Sequence, residues 1–212
     1  MGTPIQLDDA MNDWAGLTVQ SLIRGRFNPK KTKILDVGAG WGKYRMLLPE
    51  YKMDACEVWE PYVVQEALSS LYDNVFISDI CDLVIDHYDA IIFGDVFEHI
   101  DKDDASDLLA RIRDLSEEVY IVVPYLYHQG VVDDNPYEVH LQPDLTPYVM
   151  EQRYPELRLV IQDEDRKMDK DIMLIDLANG KLAEHGYTLD TYPCGVEYTG
   201  LRPGEKLKEK LS

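Results

Sequence analysis

Between residues 33 and 123 the chain alternates short apolar runs with stretches whose apolar residues recur at helical spacing. Ile34, Leu35 and Val37 form the first run, and residues 53–58 the second. Val75, Phe76 and Ile77 form the third, Ala90-Ile91-Ile92-Phe93 the fourth, and residues 119–123 the fifth. Runs this short, bounded by turn residues, predict buried strands. Residues 41–48 predict a helix that stops before Pro49, and Pro61 suits the first turn of a second helix running towards Leu71. Asp101 is placed to cap a third, whose Ala105, Leu108, Leu109, Ile112 and Leu115 share one face. Strands alternating with helices predict a parallel sheet covered on both sides.

The flanks are less regular. Asp8 and Asp9 are placed to cap a lead-in helix through Met11, Trp14, Leu17, Leu22 and Ile23, which Asn28-Pro29 ends. Residues 125–147 are rich in Tyr, Pro and Asp, as in a long functional loop. A helix is expected over 146–153 with Pro147 in its first turn, and a sixth strand over 157–162. The charge-dense residues 163–171 read as a boundary. The expected organisation is a helical lead-in or lid over 1–30, an α/β domain over 31–163 and a small C-terminal appendage over 164–212. The fold class is Rossmann-like: a doubly wound, mostly parallel sheet, whose ligands sit beyond the carboxyl ends of the strands.

Candidate chemistry lies in those loops. Asp36-Val37-Gly38-Ala39-Gly40-Trp41-Gly42 is a glycine-rich strand-to-helix turn. Glycine permits positive φ and close approach of a ligand to the backbone. The dinucleotide fingerprint places its third glycine three residues after the second; here that position is Lys43, which argues against a nicotinamide or flavin cofactor. Glu60, twenty residues after Gly40, is positioned to take ribose hydroxyls, or to serve as an acid favoured by a helix N-terminus. Asp79 follows the third run; it is either an acceptor for an adenine amino group, with Ile80 against the ring, or a solvated loop acid.

Taken in order, these segments resemble the class I S-adenosylmethionine-dependent methyltransferases. Ile34-Leu35-Asp36-Val37-Gly38-Ala39-Gly40-Trp41-Gly42 is similar to the family's first motif. Glu57-Val58-Trp59-Glu60-Pro61 resembles the second, its Glu60-Pro61 step favouring Glu60 over Glu57 as the ribose ligand. Asp95-Val96-Phe97-Glu98-His99-Ile100 resembles the segment after strand four in enzymes that act on small molecules. Residues 140–146 resemble a His-x-x-x-Phe-Thr stretch with one more intervening residue and Leu145 in the aromatic position. The resemblance implies S-adenosylmethionine as cofactor and a small-molecule acceptor. It implies that Gly38, Ala39, Gly40 and Gly42 shape the methionine pocket and that Asp36 orients its amino-acid end. Glu60 and Pro61 would hold ribose, Asp79 and Ile80 adenine, and Asp95 and Val96 the floor beside the sulfonium. Tyr125, Tyr127 and Tyr137, after the fifth strand, and Trp14 are expected around the acceptor, or simply in the core. A general base is required only for an acceptor that loses a proton. His140 and His99 are the candidates, with His128 behind them, although histidines also serve as structural hydrogen-bonding residues. Glu98 and His99, adjacent on one loop, are weak ground for a metal site, and none is expected.

Charge narrows the acceptor. The net charge is −19, and basic residues gather only briefly near 24–33 and 206–210. Nucleic acid and anionic membrane are therefore disfavoured partners. Cys56, Cys81 and Cys194 match no zinc spacing; the first two sit in apolar runs, consistent with a reducing cytoplasm. No apolar run approaches membrane-spanning length, and residues 1–14 are too polar for a signal peptide. The C-terminal run Thr199-Gly200-Leu201-Arg202-Pro203-Gly204-Glu205-Lys206 resembles the end of nucleotide-sugar dehydratases and epimerases of polysaccharide biosynthesis. Their fingerprint and Tyr-x-x-x-Lys pair are missing here, so that activity is not implied. The tail leaves an alternative expectation, an accessory binding protein in that biosynthesis.

Overall fold

The computed structural model describes residues 14–162 and 172–176. The start of the lead-in helix and the tail motif lie outside the described residues, as does the side chain of Trp14. Seven strands form one sheet: β1 (Lys33–Val37), β2 (Lys52–Glu57), β3 (Val75–Ile77), β4 (Tyr88–Gly94), β5 (Ser116–Pro124), β6 (Arg158–Gln162) and β7 (Ile172–Asp176). Their order is β3-β2-β1-β4-β5-β7-β6. The first five are parallel, and β7 runs antiparallel between β5 and β6. This is the doubly wound, mostly parallel sheet expected from the alternation.

Side chains alternate across the strands, so each strand feeds two cores. Leu35, Val37, Ile91, Phe93, Val119, Ile121 and Val123 face one side. There they meet Ala105, Leu108, Leu109 and Ile112 of α5 (Lys102–Ile112) and Met150 of α6 (Pro147–Arg153). Ile34, Met53, Ala55, Ala90, Ile92, Tyr120 and Val122 face the other side. That side is covered by α1 (Trp14–Arg26), α2 (Lys43–Leu47), α3 (Glu60–Gln65) and α4 (Leu68–Leu71). Burial on both faces is why these strands read as continuous apolar runs.

The cap expected of Asp101 is made, and Thr146 supplies one that was not assigned; Asp8 and Asp9 lie outside the described residues. The Asp101 carboxylate accepts from the Asp103 amide, and Thr146 Oγ1 accepts from the Val149 amide at 3.1 Å. Two expectations need correction. The helix from Pro61 towards Leu71 is broken at Ala67, whose φ of 51° is left-handed, so α3 and α4 are separate turns. The sheet also runs past the boundary expected at residue 163. Residues 163–171 connect β6 to its antiparallel neighbour β7, so the charge-dense stretch links two paired strands.

Candidate active site

β1 and β4 are adjacent, yet their connections leave in opposite directions, to β2 on one side and β5 on the other. The crevice at that reversal lies beyond the carboxyl ends of the strands. It is an open cleft of about 680 Å³, solvent at its mouth included, and its walls include Gly38, Gly40, Glu57, Asp79, Asp95 and His99.

The glycine turn forms one wall. The Gly38 and Ala39 amides donate to the Cys56 carbonyl (2.8 and 3.4 Å), which ties the turn to β2. Gly38 has φ +66°, and a Cβ there would lie 2.2 Å from Val96 Cγ2. Backbone conformation and close approach to the loop after β4 therefore both require glycine at 38. Gly40 (φ +50°) faces the cleft, and a Cβ there would meet only the Gly38 carbonyl, at 3.8 Å.

The acidic residue at the end of β2 is Glu57. Its Oε2 accepts from the Gly40 amide (2.9 Å) and its Oε1 from the Trp59 amide (2.8 Å). The carboxylate is thus fastened to the glycine turn while its edge forms part of the cleft. Burial pushes its pKa up, and the two amides partly offset that. Glu60 and Pro61 stand at the start of α3 and do not line the cleft; Glu60 is exposed. Of the two acids weighed in the sequence, Glu57 is the one on the cleft wall, because β2 ends three residues before the Glu-Pro step.

Asp79 and Ile80 follow β3 and line the cleft, as do Asp95 and Val96 after β4. Asp79 Oδ1 accepts from the Cys81 amide at 2.8 Å, which fixes the turn. Asp95 sits at φ +59°, and its Oδ2 receives the Lys43 ammonium at 3.1 Å. Asp36, Ala39 and Gly42 are not on the cleft wall. Asp36 lies beneath the turn, fully buried, and burial pushes its pKa up to about 7. Its Oδ2 accepts from the Tyr72 hydroxyl at 2.6 Å. Asp36 thus positions the turn from behind.

The residues after β5 close the other side. Asn135 is buried and caps a single 3-10 turn, Pro136–Glu138, by accepting from the Tyr137 amide (3.0 Å). Glu138 is held by Gln129 Nε2 (3.0 Å) and by the Tyr62 hydroxyl of α3 (3.1 Å). Tyr137 lines the cleft, its ring centroid 6.1 Å from that of Trp59. Tyr125 and Tyr127 do not line it. Tyr62, Asn135 and Glu138 were not expected here. The Asp-Asp-Asn-Pro turn at 133–136 is the signal that marks this fold-back, with Asp133 and Asp134 both at positive φ.

The 3-10 turn after β4, Phe97–His99, is anchored from beneath. Phe97 packs edge-on between Phe93 (6.0 Å) and Tyr154 (5.1 Å). Gln142 Nε2 donates to the Phe97 and Ile100 carbonyls (3.1 and 3.0 Å), while its Oε1 accepts from the Tyr154 hydroxyl (2.7 Å). The Leu141 and Gln142 amides both donate to the Glu98 carbonyl (2.9 and 3.0 Å). This stitching brings His140 beside His99, with ring centroids 4.7 Å apart. His99 lines the cleft, His140 is buried behind it, and His128 is exposed elsewhere on the loop. Burial lowers the pKa of His99, which favours the neutral ring.

No family model matches the chain, and no curated protein matches it. Solved structures do. A S-adenosylmethionine-dependent methyltransferase from Clostridium acetobutylicum is 13% identical, with a TM-score of 0.59 over 81% of this chain and 92% of that one. Magnesium protoporphyrin IX methyltransferase from Synechocystis, with bound S-adenosylmethionine, is 11% identical, with a TM-score of 0.59 over 83% and 85%. The N-terminal domain of EvdMO1, with S-adenosylhomocysteine bound, is 14% identical, with a TM-score of 0.53 over 78% and 80%. The chain therefore has the class I methyltransferase fold.

Proposed function

We propose that this protein transfers a methyl group from S-adenosylmethionine to a small-molecule acceptor. The observation that carries this reading is the convergence on one cleft of the Gly38–Gly40 turn, Glu57 at the end of β2 and Asp79-Ile80 after β3. Each suits one part of the donor: the turn its amino-acid arm, Glu57 the two ribose hydroxyls, Asp79 and Ile80 the adenine. The sulfonium supplies an already activated methyl group, so the protein's task is alignment. Asp95 and Val96 form the floor beside the reacting end, and His99 and Tyr137 face the space left for the acceptor.

A small acceptor agrees with a cleft bordered by the 133–138 fold-back and with the charge of −19, which disfavours nucleic acid. Among the described residues no helix is long and apolar enough to cross a membrane, and Cys56 and Cys81 are free thiols. The free thiols agree with work in a reducing cytoplasm. The tail sequence supports a link to nucleotide-sugar chemistry, either through a sugar acceptor or through an accessory binding role. Calorimetry with S-adenosylmethionine and with S-adenosylhomocysteine tests the proposal. Micromolar binding of both is expected, lost in Gly38→Val; two flat titrations overturn it. Binding without turnover over a broad acceptor panel favours the accessory role.

A further inference from the structure

Glu98 and His99 are neighbours in sequence and His140 is far from them, yet one donor atom of each lies within 4.8 Å of the other two. The two histidines are oriented alike. His99 Nδ1 lies 3.2 Å from the Val139 carbonyl oxygen, and His140 Nδ1 lies 2.7 Å from that of Tyr127. A carbonyl oxygen only accepts, so each Nδ1 carries a hydrogen and donates it. In the neutral ring each Nε2 then presents a lone pair. Both Nε2 atoms lie 3.9 Å from the same atom, Glu98 Oε1. Two nitrogen lone pairs and a carboxylate thus converge on one place in a buried setting. A proton can be shared by only two of these groups, whereas a cation is held by all three.

We propose that Glu98, His99 and His140 bind a divalent first-row transition-metal ion at the wall of the cleft. The donor set, two imidazoles and one carboxylate, suits manganese, iron, cobalt or zinc better than calcium or magnesium. The outer hydrogen bonds have the form such sites use, a backbone carbonyl fixing the tautomer of each ligand histidine. Ligand atoms about 2.1 Å from a shared ion stand about 3 to 4 Å apart. The 3.9 Å separations therefore need only small side-chain movements to close. His99 is the member that also lines the cleft, with Asp95 and Val96, so an ion held by this set would lie at the cleft wall.

The role of the ion, unlike its binding, rests on the methyl-transfer reading. A cation there selects an acceptor bearing a hydroxyl group, because it lowers the pKa of an oxygen that must lose its proton. The transfer balances as follows: the hydroxyl proton leaves to solvent, the O–CH3 bond forms, and the S–CH3 bond breaks with its electron pair remaining on sulfur.

The test uses the full-length protein after chelator treatment, titrated with Co²⁺ and followed by visible absorption. One equivalent is expected to bind and to give ligand-field bands. Glu98→Gln and His99→Gln should each weaken binding at least tenfold while keeping the wild-type circular dichroism. His99→Gln alters the less buried ligand and guards against a folding defect at Glu98. Absence of bands in the folded wild type, or wild-type affinity in both variants, overturns the site. Calorimetry of the stripped wild type with S-adenosylhomocysteine separately tests the methyl-transfer reading. If metal binds but turnover of hydroxylated acceptors is the same with and without it, the catalytic role is overturned.

Discussion

The Tyr72 hydroxyl donates to the Asp36 carboxylate at 2.6 Å, and this bond lies directly behind the glycine turn. Burial holds the Asp36 pKa near 7, against the opposing pull of Tyr72 and Lys43. A carboxyl whose folded pKa exceeds its unfolded value contributes stability below the unfolded value and loses it as pH rises through the folded one. The window is therefore from about pH 4 to about pH 7. Asp36→Asn should gain on the wild type across that window, by on the order of 4 kcal/mol in total. Urea denaturation of both proteins at several pH values checks this. A difference that stays constant with pH contradicts it.

Replacing either glycine of the turn should have unequal effects. Gly38→Ala drives a methyl group into the stiff side chain of Val96, in addition to the cost of positive φ. Overpacking and strain together should remove about 2–4 kcal/mol and the cofactor site with it. Gly40→Ala has room and should cost only about 1–2 kcal/mol. Thermal melts rank the two; equal losses would show that the Val96 contact relaxes freely.

Glu57 and Glu60 compete for one role in the sequence, and the structure sets them apart. Glu57→Gln keeps an acceptor for one backbone amide but removes the charge at the cleft. It should weaken S-adenosylhomocysteine binding about tenfold or more, as for loss of a hydrogen bond to a charged group. Glu60→Gln, on an exposed side chain, should change it less than about twofold. Calorimetry on both variants decides, and a reversed order would restore Glu60.

Gln142 joins four groups, donating to the Phe97 and Ile100 carbonyls and accepting from Tyr154 and Arg153. Gln142→Leu fits the space but leaves the buried Tyr154 hydroxyl without its acceptor and removes a donor from the Phe97 and Ile100 carbonyls. It should cost about 2–4 kcal/mol. Amide exchange of residues 97–100 should quicken more than that of β4. Uniform quickening would mean that Gln142 supports the whole core rather than this turn.

Much of the fold was legible because a doubly covered parallel sheet writes itself as separated apolar runs. Val75–Ile77 has the bounds that its pattern indicates, and Asp101 caps the helix assigned to it. β7 was not legible, since its neighbours in the sheet are fixed by long-range pairing and the charged residues before it read as an end. The turn, Asp79 and Asp95 were legible because position after a strand locates a residue at the cleft. That Glu57 and not Glu60 reaches the cleft was not legible, because strand register, set by pairing of Glu57 with Ile77, has no signature in a motif of five residues. The grouping of His140 with Glu98 and His99 depends on the Leu141 and Gln142 amides folding back to Glu98, which no local pattern encodes.

The insertion of β7 between β5 and β6 imposes an order on folding. β6 reaches the sheet only through β7, so both strands must wait for residues 172–176 to emerge during synthesis. Until then the outer edge of β5, with Ile121, Val122 and Val123, presents unpaired backbone on a long apolar strand. Such an edge invites pairing with another chain. A polypeptide cut at residue 163 would keep that edge permanently, so a truncation that spares every cleft residue is expected to yield aggregates in place of a smaller folded domain.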